Sequence, residues 1–213
     1  MLGLLLAATT ASLVAHTPVG DLFTRDVPGS AFHEVEIHGQ LAAPAWAVRE
    51  VILAPLTYAL TPYLSEQRIV GAEQCAPGAE SIPGCKVHWL YTRVRPPLFS
   101  PRDYVVRVEL LRDDLQTGGQ VVLEWALDKK HGPPPPEGTV RLDADTGGWQ
   151  LQAAGAMTSF VYKAFDDPGG NLGAWLVNPG NEREIPRMIA AIEKAAKELA
   201  AKKAPSTPAS AKP

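Results

Sequence analysis

The chain has 213 residues, 46% of them hydrophobic, and a formal net charge of −3; that suits one domain with a substantial core. With no basic excess to neutralise phosphates, a nucleic-acid partner has little electrostatic support. Twenty prolines and eighteen glycines are too scattered for a collagen-like chain or a linker, and the β-rich runs between them predict strands punctuated by turns.

The first segment, residues 1–15, is an uncharged run made up mostly of Leu, Ala, Thr, Val and Gly. It is too short to span a bilayer, which takes roughly 20 residues, but matches the apolar region of a signal peptide. Against that, it lacks a basic start. Two readings stay open: an export signal, which would put the protein in the periplasm or outside the cell, or an amphipathic helix of a cytoplasmic protein with Leu4, Leu5 and Ala8 on its apolar side.

Strand-like alternation begins at Ala31 and runs to His38. Pro44 then opens a stretch from Ala45 to Leu53 whose Trp46, Val48, Val51 and Ile52 recur near helical spacing, with Pro at an acceptable first-turn position. A second short helix is predicted from Leu56 to Tyr63, between Pro55 and Pro62. From Arg68 the pattern is β again. Cys75 and Cys85 flank a Gly- and Pro-containing segment that reads as a strand-to-strand loop. A disulfide there would fit an exported protein; two unpaired thiols are the alternative, and no ligand spacing supports zinc.

Val87 to Val94 alternates, and the three prolines between Arg95 and Pro101 require a turn. Asp103 to Leu111 and Gln120 to Leu127 follow as strands, and His131 to Glu137, with four consecutive prolines, is a stiff loop. Thr139 to Asp143, Gly148 to Gln152 and Met157 to Phe165 complete an antiparallel meander. The last element has a different period: Ile185, Met188, Ile189, Ile192, Ala196 and Leu199 form one helical stripe opposite Glu193, Lys194, Lys197 and Glu198. Residues 202–213 contain only Lys, Ala, Pro, Ser and Thr and read as a disordered tail.

Two stretches carry a family resemblance. Pro96-Pro97-Leu98-Phe99-Ser100-Pro101-Arg102-Asp103-Tyr104-Val105-Val106 resembles the apolar-Ser-Pro-Arg-Asp-Tyr/Phe-Val turn and strand of START (StAR-related lipid-transfer) domains. Asp167-Pro168-Gly169-Gly170-Asn171-Leu172-Gly173-Ala174-Trp175-Leu176-Val177-Asn178 is similar to the run leading into that family's final helix. The resemblance covers residues 30–201 and points to a bacterial-type member of the helix-grip, Bet v 1-like superfamily. It implies an α+β fold, a curved antiparallel sheet wrapped around a long C-terminal helix with an internal apolar cavity. It further implies a monomer that binds and transfers a lipid or sterol-like molecule, meets membranes transiently, and uses no cofactor or metal. A cyclase- or hydratase-like enzyme acting on an aromatic or polyketide-like substrate is the alternative on the same architecture, because fold does not fix function.

For the cavity wall, alternate positions give Trp89, Tyr91 and Arg93 on one strand, Tyr104, Val106, Val108 and Leu110 on the next, and Leu123, Trp125 and Leu127 on another, with Phe160 and Tyr162 continuing the row. Met188 and Ile192 would close it from the helix, and Trp175 and Leu176 would sit near the mouth. The gate would be formed by residues 96–101 and 167–181. The competing reading is that these side chains fill a solid core. An inward Arg93 would need a carboxylate, a carbonyl or a ligand head group, since an unpaired buried guanidinium is costly. Arg102 and Asp103, as strand neighbours, point to opposite faces and cannot act together. No catalytic elbow, phosphate loop or dinucleotide fingerprint is present. The five histidines have no ligand spacing and read as surface or packing residues.

Overall fold

A computed structural model describes residues 10–54, 60, 62–77, 84–115 and 119–203. The chain opens with three strands, β1 (Ser12–Thr17), β2 (Gly20–Asp26) and β3 (His33–Leu41), followed by helix α1 (Ala45–Ile52). Then come β4 (Leu64–Cys75), β5 (Cys85–Val94), β6 (Arg102–Asp113), β7 (Gln120–Leu127), the two-residue β8 (Val140–Arg141), β9 (Ala144–Ala154) and β10 (Met157–Asp167). Helix α2 (Ala174–Lys203) closes the described chain.

The strands form one sheet in the order β1-β2-β3-β10-β9-β7-β6-β5-β4, with β8 laid parallel to β6 and all other pairings antiparallel. The sheet curves, and because β10 sits mid-sheet, the helix that follows it returns along the concave side. Ile189, Ile192 and Ala196 of α2 are buried there against the core built from β3, α1, β9 and β10. The far end of α2 is tied to α1 by Lys203, whose Nζ lies 2.7 Å from the Glu50 carboxylate and 5.4 Å from the centre of the Trp46 ring.

Several expected elements differ in extent. The sheet starts at Ser12, where a hairpin of β1 and β2 precedes the strand expected first; residues 1–9, which include Leu4, Leu5 and Ala8, lie outside the described residues. So do most of the expected second helix (residues 55–59 and 61) and the tail from residue 204. The C-terminal helix is twice as long as its apolar stripe indicated, with 30 residues, and contains both Pro179 and Pro186. Each proline removes a backbone donor from the helical ladder, and side chains hold the first turns instead. Asn178 Oδ1 accepts from His33 N at 3.1 Å while its Nδ2 donates to Ala31 O at 3.2 Å. Asn181 Nδ2 donates to both oxygens of Asp166 at 3.2 Å. Cys75 and Cys85 are cross-strand partners joined in a disulfide.

Candidate functional site

Between the concave face and α2 lies a cavity of about 650 Å³. Period-two alternation sets its wall: His88, Leu90, Thr92 and Val94 from β5; Arg102, Tyr104, Val106 and Val108 from β6; Leu123 and Trp125 from β7. Asp145 and Trp149 of β9, with Tyr162, Ala164 and Asp166 of β10, continue it, and α2 supplies Trp175, Leu176, Ile185, Met188 and Ile192. Ten expected lining residues therefore meet here: Tyr104, Val106, Val108, Leu123, Trp125, Tyr162, Trp175, Leu176, Met188 and Ile192.

Six expected residues do not. The β5–β6 register pairs Leu90 with Val106 and Thr92 with Tyr104, so Trp89, Tyr91 and Arg93 face the other side of the sheet. There the loop of residues 128–139 covers them. Trp89 donates from Nε1 to Asp128 Oδ2 at 2.6 Å and stacks on His131, with ring centres 4.3 Å apart. Tyr91 is buried, its hydroxyl donating to Asp103 Oδ2 at 3.4 Å, and Arg93 donates to Thr139 Oγ1 at 2.9 Å. Leu110 and Phe160 are packed in the core beyond the cavity, Phe160 against Trp149, and Leu127, half-buried at the end of β7, does not reach it.

Arg102 and Asp103 point to opposite faces as strand geometry requires. Asp103 is fully buried on the outer side and accepts two hydrogen bonds from Arg141, at 3.0 and 2.8 Å. Arg102 turns inward, donates to Ser100 O at 2.6 Å and keeps a buried Nε without a partner; burial lowers its affinity for the proton.

The polar groups in the wall are those sequence reasoning overlooked. His88 is 2% exposed, its Nδ1 has no hydrogen-bond partner, and burial pushes its pKa down to about 4, so the imidazole is neutral. Gln67 donates to Thr92 Oγ1 at 3.1 Å. Asp145 and Asp166 are direct cross-strand partners. Burial and the neighbouring Asp166 push Asp145 up to about 7, although its Oδ1 accepts from Trp125 Nε1 at 2.7 Å. Burial likewise raises Asp166 against the hydrogen bond from Asn181. Tyr162 lies between these carboxyls and Trp149, 4.6 Å from the Trp149 ring centre, and burial raises its phenol well above the ordinary range. One sequence signal for this group existed: Asp166 continues the period-two row of Tyr162 and Ala164.

Among the described residues no group of three or more His, Cys, Asp or Glu is placed to hold a metal. Two of the lining residues stand in water, Trp175 at 81% exposed and Tyr63 at 53%, and Leu98, next to the lining residue Phe99, is 100% exposed.

This arrangement of a curved antiparallel sheet and a long gripping helix is the helix-grip fold of START domains. Human STARD10 superimposes with a TM-score of 0.72 at 18% identity, over 92% of this chain and 78% of that one. A STAR-related lipid transfer protein from Xanthomonas axonopodis gives 0.69 at 20% identity, over 88% of this chain and 98% of that fragment. The Zhui aromatase/cyclase from a Streptomyces species is more distant, with a TM-score of 0.50 at 17% identity, over 81% and 96%. No protein-family model and no curated protein sequence matches the chain.

Proposed function

We propose that the chain binds an apolar small molecule, a lipid or sterol-like compound, inside the cavity and carries it between membranes without altering it chemically. The observation that carries this reading is the cavity: about 650 Å³ of mostly apolar wall beneath α2, within the range of small-molecule sites. A core filled by its own side chains would have no such volume. Each Å² of apolar ligand surface removed from water contributes about 25 cal/mol, so the walls supply affinity and the few polar groups supply orientation. The solved structures with this fold that are named as lipid-transfer proteins support the same reading. Loading requires an opening, which we assign to residues 96–101 and the segment from 167 to 181, where exposed Leu98 and Trp175 would meet a membrane. The Cys75–Cys85 bond supports export, since disulfides persist in oxidising compartments.

Native mass spectrometry of protein from its own host, followed by solvent extraction, tests the carrier reading. A stoichiometric lipid is the expected result; protein that is empty, and stays empty when offered vesicle lipids, would refute it. The enzymatic alternative would rest on Tyr162 and the two aspartates beside it. Conversion of a bound polyketide-like compound, lost in Tyr162→Phe, would replace our reading.

A further inference from the structure

Resting on the cavity reading above, we propose that Arg102 binds an acid group at one end of the ligand, so that this cavity selects a long-chain carboxylate and holds it with the acid end under the opening. Arg102 is 6% exposed and lines the cavity from the first residue of β6, next to the turn of residues 96–101. Among the described residues it makes one hydrogen bond, Nη1 donating to Ser100 O at 2.6 Å, and its enclosed Nε has no partner. That carbonyl brings no negative charge, and among the described residues no carboxylate pairs with this guanidinium. Its strand neighbour behaves differently: Asp103, turned to the outer face, is met by two donors of Arg141.

The other charged groups of the wall have partners of their own. Asp145 accepts from Trp125 Nε1, Asp166 from the Asn181 amide, and Glu184 from both Arg183 and Arg187. Arg183, the second cation that lines the cavity, is bonded to Glu184 at 2.8 Å and has a side chain 64% exposed. Burial pushes Asp145 up to about 7 and raises Asp166, so both aspartates escape the cost of a buried charge by keeping a proton. An arginine has no such escape, because it does not give up its proton in a protein. Arg102 is therefore a permanent charge, out of water and without a counter-ion, which is a costly state for a protein to keep empty.

A carboxylate removes that cost. It sets one negative charge against one positive one and accepts charge-assisted hydrogen bonds from the guanidinium. A hydroxyl brings no charge, an ammonium brings the wrong one, and a phosphate monoester, with a charge of about −1.5 to −2, would leave an excess buried. The wall sets the direction of the rest of the molecule. Beyond Arg102, β6 turns Tyr104, Val106 and Val108 to the cavity. From Arg102 to Val108 is about 20 Å of strand, room for one acyl chain of about 15 Å, half the hydrocarbon core of a bilayer.

Three chain-matched probes test the assignment: dodecanoate, dodecanol and dodecylamine, each below its micelle concentration, titrated into the full chain near neutral pH with tryptophan fluorescence and native mass spectrometry as readouts. The acid is expected to bind about tenfold or more tighter than the alcohol, with the amine weakest. Arg102→Gln should remove that preference while leaving alcohol binding unchanged. Arg102→Met, which keeps the length and apolar packing without the charge, carries the same expectation, and either variant, if folded by circular dichroism, suffices. Equal binding of acid and alcohol, or tightest binding of the amine, would overturn the acid site and leave the apolar cavity standing. An acid preference that survives a folded Arg102 variant would overturn it too, and Arg183→Gln would then show whether the other cation of the wall carries that preference. If none of the three binds, the cavity reading fails and takes this one with it.

Discussion

His88 and Asp145 reach the cavity from strands on opposite flanks of the β6–β7 pair, and neither can leave water as an ion without cost. The unfolded chain ionises Asp145 near 3.8, whereas the folded chain holds its proton to about 7. Over that interval the native state binds the extra proton, so the aspartate's contribution to stability falls as pH rises, by about 1.4 kcal/mol per pH unit. His88 works the other way: the unfolded chain takes up a proton below 6.5 and the folded chain only below about 4. Its contribution is complete above 6.5 and is lost as pH falls toward 4. Between those limits the two slopes oppose, which hides both in the parent protein. Asp145→Asn should therefore gain stability over the parent as pH rises from about 4 to 7, by about 3–5 kcal/mol in all, and His88→Gln should gain over it as pH falls from 6.5 to 4. Urea unfolding at several pH values measures both; a pH-independent difference for Asp145→Asn would mean that the folded protein holds this group ionised. Asp103 poses a separate question of charge. It is buried and held by both Arg141 donors on the outer face, so Asp103→Ala, which strands the guanidinium, should cost about 3–5 kcal/mol. Ligand affinity of the folded fraction should not change, and a titration showing weakened binding would contradict the outward placement.

At the scale of strands and helices, legibility depended on what covered each face. On β6 the outward positions Arg107 and Glu109 are charged, so Tyr104, Val106 and Val108 stand out as the inner row. On β5 residues 85 and 87–92 are all buried, because the proline-rich loop of residues 128–139 packs on the outer side. Alternation then carries no information, and hydrophobicity misleads: Trp89 and Tyr91 look more inward than His88 and Thr92, yet the register puts them outside. Helix α2 was legible only where its apolar stripe is unbroken; Pro179, Gly180 and Pro186 mask the first turns, which Asn178 and Asn181 anchor through pairings distant in sequence. Gly147 positions the site, a role that composition and alternation do not reveal. It pairs with Trp125 across β7 and β9, and a Cβ there would lie 2.2 Å from the Trp125 ring and 2.4 Å from Lys163 O. Gly147→Ala should displace Trp125 from Asp145 and destabilise the chain by about 1–3 kcal/mol through overpacking. The expected signature is a changed tryptophan emission and a smaller effect of a second Asp145→Asn substitution than in the parent; full additivity would show that the indole does not depend on this glycine.

For the molecule as a whole, the proposed carrier must be sealed in water and open at a membrane, and the mouth holds the residues for that exchange. Leu98 is fully exposed and also sits at φ 68°; Tyr63, 53% exposed, sits at φ 55°. Both conformations are unfavourable for side chains with a Cβ, by about 1–2 kcal/mol per residue, and an apolar side chain held in water gains nothing in return. Trp175, on the first turn of α2, is 81% exposed; it and Tyr63 line the cavity, and Leu98 adjoins the lining residue Phe99, so all three are exposed apolar side chains of the kind that mark a contact surface. A hydrocarbon surface would reward that placement: burying Leu98 and Trp175 in a bilayer recovers about 1.5–3 kcal/mol for a leucine-sized side chain and more for the indole. The pair Leu98→Asn and Trp175→Ser should then slow transfer of a fluorescent lipid between vesicles about tenfold or more, because the lost docking energy enters the rate exponentially. Equilibrium affinity for a soluble short-chain ligand should fall far less than the transfer rate, since Leu98 is outside the cavity lining and Trp175, though part of it, is 81% exposed, and stability should hold or rise, since asparagine tolerates the left-handed region better than leucine. If affinity and transfer rate fell together, the two side chains would act by holding the ligand; if neither changed, the ligand would have to enter by a route that avoids these two residues.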